Sequence, residues 1–165
     1  MTTTSPGLFS NTNHYRFMKQ AFTEAEIAAE AGEVPVGAVI VHKNRIIARG
    51  HNQVELLTDP TAHAEMIALS AAFSHLGEKY LADCTMYVTL EPCPMCAGAL
   101  VWAKISKLVI GAQDEKAGAC GSILNIAEHP VLNHRIEVLH GVMEQESESL
   151  LLAFFERLRL KDNQG

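Results

Sequence analysis

The chain has 165 residues, 48% of them hydrophobic, which is enough for one domain with a sizeable core. A net charge of −6 excludes a protein that relies on bulk phosphate contacts, so any nucleic-acid partner must be held by a local patch or a pocket. The polar opening, Met1 to Gly7, lacks the basic start and apolar core of a secretory signal, and no run nears the roughly 18 apolar residues that span a membrane. The expectation is a soluble, cytoplasmic protein with no membrane partner.

Residues 1–16 read as a mobile N-terminal tail, 17–161 as a single folded domain and 162–165 as a C-terminal tail. Met18, Ala21, Phe22, Ala25, Ala28 and Ala29 recur at helical spacing and stop at Gly32. The runs 36–42 and 45–50 read as strands around Lys43-Asn44, a tight hairpin whose turn type stays open because the Asn-Gly order is missing.

Asp59-Pro60 offers a cap and a first-turn proline for a helix reaching about Leu76, with Gly77 as its stop. Met66, Leu69, Phe73 and Leu76 give that helix an apolar face. A strand over 84–90, a short helix over 94–103 and a strand over 107–112 follow. A loop rich in glycine and alanine covers 113–121, a short strand 136–139, and a closing helix 144–161 with Leu151, Phe154, Phe155 and Leu158 inward. A hairpin followed by alternating helices and strands implies α/β layers on a mixed central sheet.

The chemistry is carried by His63-Ala64-Glu65 and, thirty residues on, Pro92-Cys93-Pro94-Met95-Cys96. His63, Cys93 and Cys96 form a three-ligand set, which suits catalytic zinc because tetrahedral coordination then keeps one position for water. The i, i+3 spacing puts both cysteines on one side of a helix start, where the positive helix end favours the thiolate that binds metal. Glu65, too near His63 to be a casual second ligand, is placed to move protons between water and substrate. A lone histidine is more often structural and a lone glutamate a solvated charge; the joint pattern outweighs both. A thioredoxin-like role for Cys93 and Cys96 leaves His63 and Glu65 without a purpose. Cys84 reads as a buried small hydrophobe, Cys120 as a spare loop thiol, and His51, His129 and His134 as ordinary hydrogen-bonding histidines.

On these residues the chain resembles the bacterial tRNA-specific adenosine deaminases of the cytidine-deaminase superfamily. The likeness runs from about Phe17 to Leu158 and includes 32–39 (GEVPVGAV), 59–66 (DPTAHAEM), 90–98 (LEPCPMCAG), Gly111-Ala112-Gln113-Asp114, Gly121-Ser122 and Asn133-His134-Arg135. The resemblance implies a three-layer α/β/α cytidine-deaminase-like fold, one Zn2+ per subunit and a homodimer through the 97–103 helix and the strand after it. It implies hydrolysis of adenosine to inosine at the wobble position of a tRNA anticodon loop, in the arginine-type enzymes one with an ACG anticodon. Zinc would activate water for attack at C6, and Glu65 would carry protons to N1 and the departing ammonia.

Also by resemblance, Asn52 and the Ala64 backbone face the flipped nucleotide, Val34 and Leu90 line the base, and Asp114 meets the preceding ribose. Asn133, Arg135 and Phe155 belong to an RNA-facing surface, to which Arg157, Arg159 and Lys161 could add phosphate contacts. Taken alone, these residues would pass for core, loop or solvated positions. A splayed loop suits an acidic protein better than a duplex does. Guanine deaminase is the nearest rival, since Pro-Cys-Pro-Met-Cys and Trp102-Ala103 also suit it. A riboflavin-pathway or free-nucleotide deaminase is disfavoured by the lack of a further domain. A silent zinc module that binds RNA or a partner is disfavoured by the retained Glu65.

Overall fold

The computed structural model describes residues 7–165, with side chains from residue 13 onward. The elements in order are α1 (Gly7–Glu30), β1 (Gly37–His42), β2 (Arg45–His51), α2 (Val54–Leu57), α3 (Ala64–Leu76), β3 (Cys84–Leu90), α4 (Pro94–Trp102), β4 (Lys107–Ala112), β5 (Glu137–Leu139) and α5 (Glu144–Asp162). One five-stranded sheet runs β2-β1-β3-β4-β5. β1 pairs antiparallel with β2 and β3, whereas β3, β4 and β5 are parallel. The mixed sheet and its helical layers match the fold expected from the sequence.

Strand alternation sorts the core into two layers. Ala38, Ile40, Met86, Val88, Leu108 and Ile110 point to one face and pack on Ala64, Ala68, Leu69 and Ala72 of α3 and Ala97 and Leu100 of α4. Val39, Val41, Tyr87 and Val109 point to the other and meet Phe17, Met18 and Ala21 of α1. Small residues let the helices lie close: a Cβ on Gly37 would strike the backbone at Ala21 and Ala25, and one on Gly50 the backbone at Ala64 and Ala68. Those two glycines set the distance of α1 and α3 from the hairpin.

Two helix starts differ from the sequence reading, each for a local reason. The first helix begins at Gly7, so residues 7–16, assigned to a tail, are helical. No helical run of apolar residues marks the helix there, and tertiary bonds hold its His14–Arg16 turn: the Tyr87 hydroxyl and His14 Nδ1 share a hydrogen bond at 2.8 Å, and Arg16 reaches Asn44 at 3.3 Å. The part of the expected tail in residues 1–6 lies outside the described residues.

The helix expected from Asp59-Pro60 starts only at Ala64. Asp59 Oδ1 instead accepts both the N–H and the hydroxyl of Thr61, at 2.8 and 2.7 Å, so its carboxylate closes a local turn rather than capping a helix. The hairpin turn is resolved as the mirror-image type I′, with φ of 49° at Lys43 and 62° at Asn44. Among the described residues no helix is long and apolar enough to cross a membrane.

Candidate metal centre and adjoining cavity

The topology gathers several segments at one edge of the sheet. β3 and β4 end there, β1 begins there, and β2 returns there because His51 pairs with Gly37. Carboxyl ends of parallel strands are where open α/β sheets place ligands. The loops at this edge enclose a cavity of about 580 Å³. Its walls include Val34, Asn52, His63, Glu65, Leu90, Cys93, Asp114 and, from α5, Phe154 and Leu158.

His63 and Cys93 are the N-cap residues of α3 and α4, and Cys96 follows one turn into α4. The N-cap role of His63 replaces the first-turn position expected from sequence. His63 Nδ1 lies 3.6 Å from Cys93 Sγ and 3.5 Å from Cys96 Sγ. Zinc–sulfur and zinc–nitrogen bonds at the tetrahedral angle require a separation of about 3.6 Å. Both nitrogen–sulfur separations therefore suit donors of one tetrahedral zinc ion. The three residues form a His/Cys/Cys group with all three donors mutually within 4.8 Å.

Hydrogen bonding between the two sulfurs splits their acidities. It draws the Cys93 thiol down to about 5, burial opposing the shift and the Cys96 and Met95 N–H groups and His63 reinforcing it. Cys96 is driven up by the same pairing and by burial. The downward shift at Cys93 favours the thiolate form that binds metal, and metal binding would release the protons that the donors still carry.

Glu65 is 4% exposed and lines the cavity beside His63 and Cys93. Burial pushes its carboxyl up, while its own backbone N–H, the Cys96 thiol and His63 pull the other way. A carboxyl so biased can hold a proton and give it back.

Asn52 has a second task that sequence reasoning did not find. Its Oδ1 accepts the Ala64 N–H at 2.8 Å, satisfying the first free N–H of α3 from twelve residues away. The bond fixes the rotamer of Asn52 and leaves its NH2 group as a donor. Glu91, which drew no attention beyond its place in the motif, is 2% exposed beside the cavity. Burial raises its carboxyl, but hydrogen bonds from Ser122, Cys120 and Asp114 outweigh it and hold the group below the ordinary range. No periodicity marks such a residue; only its position between Leu90 and the Pro-Cys pair could have.

Of the other candidates, Phe155 lines a groove that shares Val34, Leu90 and Asp114 with the cavity. Asn133 and Arg135 are exposed and line neither space; Arg135 instead donates to the Glu128 carbonyl at 3.3 Å. Arg157, Arg159 and Lys161 are exposed on α5. Cys84 and Cys120 are buried free thiols. His51 pairs with Glu24 at 3.1 Å, and His134 bonds the Ile105 carbonyl at 2.7 Å.

The MafB19-like deaminase family model matches residues 12–159. The tRNA-specific adenosine deaminase of Aquifex aeolicus is 51% identical over 87% of this chain and 94% of its own length. That of Bacillus subtilis is 48% identical over 88% of this chain and 90% of its own. A solved structure described under A-to-I editing by tRNA:A34 deaminases at the wobble position superposes with a TM-score of 0.80 at 44% identity, covering 82% of this chain and 99% of that one. With the fold, the donor triad and this breadth of likeness, the chain belongs to the MafB19-like deaminases, within the group of tRNA-specific adenosine deaminases.

Proposed function

We propose that the protein deaminates adenosine to inosine at the wobble position of a tRNA anticodon loop, with the ACG-bearing arginine tRNA as substrate. The observation that carries the reading is the zinc-compatible spacing of His63, Cys93 and Cys96 with the buried Glu65 beside it. One Zn2+ held there would acidify a water molecule for attack on an aromatic amidine carbon.

Glu65 takes the proton of that water, delivers it to adenine N1 and returns the next to the exocyclic nitrogen, so that adenosine and water give inosine and ammonia. Asn52, its Oδ1 held by the Ala64 N–H, donates through its NH2 group to the nucleotide. Val34 and Leu90 flank the base, Asp114 meets the neighbouring ribose, and Phe155 offers an exposed ring to the next base. Asn133 and Arg135 would act as outer RNA contacts. Residues 17–161 form the catalytic domain in this reading, and a tRNA substrate implies a cytoplasmic enzyme.

We also propose a homodimer through α4. Trp102 is 78% exposed and borders an apolar groove with Met66, Phe73 and Tyr80, more greasy surface than one solvated helix requires.

The test gives zinc-loaded protein an ACG anticodon stem-loop and, separately, free guanine. Inosine in the stem-loop by nucleoside mass spectrometry is expected. Xanthine from guanine with an untouched stem-loop would keep the zinc chemistry and overturn the substrate.

A further inference from the structure

Glu91 takes no part in the chemistry above, yet a whole loop is wound round its carboxylate. Oε1 accepts the Asp114 N–H at 3.3 Å and the Ser122 hydroxyl; Oε2 accepts the N–H groups of Cys120 at 3.0 Å and Ser122 at 3.1 Å. Gly118 lies against the same group, where a Cβ would occupy the space of Oε2. Within the loop, Asp114 Oδ1 accepts the N–H of Lys116 at 3.0 Å and of Ala117 at 3.1 Å. Asp114 and Ala117 line the cavity.

On its other side Glu91 is joined to the metal-binding segment by the chain itself. Pro92 follows it and accepts the Ala119 N–H at 2.9 Å, and Cys93 comes next. A buried carboxylate without partners is costly, and every donor that compensates this one comes from the 114–122 loop. A hydrocarbon side chain could fill the volume but would strand those four donors. The anion therefore sets the separation between the donor segment and the wall that carries Asp114.

We propose that Glu91 is a positioning residue that fixes the 114–122 loop as a preformed RNA-binding wall, so that Asp114 meets the substrate without an ordering cost. This rests on the reading of the cavity as a nucleotide site. The effect falls on binding rather than chemistry, because a preorganised loop lowers the entropy lost on association.

Glu91→Gln is the selective probe. With its NH2 turned toward Ser122, whose hydroxyl can reverse and accept, the amide oxygen keeps the Cys120 and Ser122 backbone bonds. Only the Asp114 N–H is then opposed. With zinc content unchanged, the KM for the ACG stem-loop should rise about tenfold, the scale of one lost hydrogen bond to a charged group, and kcat should stay within about twofold. Asp114→Ala should raise KM as well, and the double variant should be no worse than Asp114→Ala alone. Ser122→Ala, which removes one hydroxyl, gives the same effect in smaller measure if Glu91→Gln folds poorly.

An unchanged KM, a fall in kcat at constant KM, or full multiplication with Asp114→Ala would each overturn the assignment. If the stem-loop is not a substrate, the proposed function falls, but amide hydrogen exchange still decides here. Loss of protection centred on Asp114 in Glu91→Gln, with Cys120 and Ser122 still protected, upholds the positioning role, and unchanged protection at Asp114 ends it.

Discussion

At the scale of single residues, the proposed function has His63, Cys93 and Cys96 divide their work from Glu65 by atom type. Three soft or borderline donors converge on one point, and one carboxyl stands aside. Glu65→Ala should therefore keep a full complement of zinc and lose turnover by at least about a hundredfold, the lower range for general acid–base catalysis. Cys93→Ala should lose the metal. Metal analysis and inosine assay on the same preparations separate the two. Away from the site, Tyr87 supplies a titration with a definite sign. Burial pushes its hydroxyl up to about 12, Arg16 opposing, while an unfolded chain ionises it near 10. The unfolded state thus releases the proton first, and the stability present below pH 10 declines as pH rises toward 12. Tyr87→Phe should flatten that alkaline decline in denaturant titrations, whatever the loss of its bond to His14 costs at neutral pH.

At the scale of elements, the donors are only as well placed as the helices that carry them. α3 is pressed onto β2 at Gly50, and His63 is its N-cap. Gly50→Ala must drive Cβ into the backbone of Ala64 and Ala68, so α3 has to lift. Overpacking of this kind costs about 1–3 kcal/mol. The expected outcome is a lower Tm together with weaker zinc retention, although no ligand has changed. Strands and helices were legible where hydrophobic period and stop signals agreed, as for 84–90 and the helix end at Gly77. They were misread where a polar side chain had two possible uses. Asp59 looked like a cap and closes an Asx turn, and the cap on the Ala64 N–H comes from Asn52, a pairing that no local pattern encodes. The grouping of His63, Cys93 and Cys96 was legible because its spacing is dictated by coordination chemistry. Glu91 was not, because a buried carboxylate satisfied by backbone N–H groups leaves no mark in charge or periodicity.

At the scale of the whole molecule, an acidic chain of net charge −6 must bind RNA by shape and by a few placed contacts, which the half-open cavity suits. The apolar groove beside Trp102 is the surface on which the proposed homodimer would rest. Trp102→Glu should shift sedimentation from dimer to monomer while leaving the fold intact by circular dichroism. An unchanged sedimentation profile would remove α4 from the interface. The cavity draws on segments from Gly32 to Leu158, so its completion requires nearly the full chain.

That spread imposes an order in time. His63, Cys93 and Cys96 all lie before residue 97, whereas the 114–122 wall and Phe154 and Leu158 come after it. On a ribosome the metal donors leave the exit tunnel before the 114–122 loop and α5, the segments that complete the cavity. The growing chain has the means to capture an ion well before it can recognise an RNA, so loading and recognition are separated by the time taken to synthesise its final third.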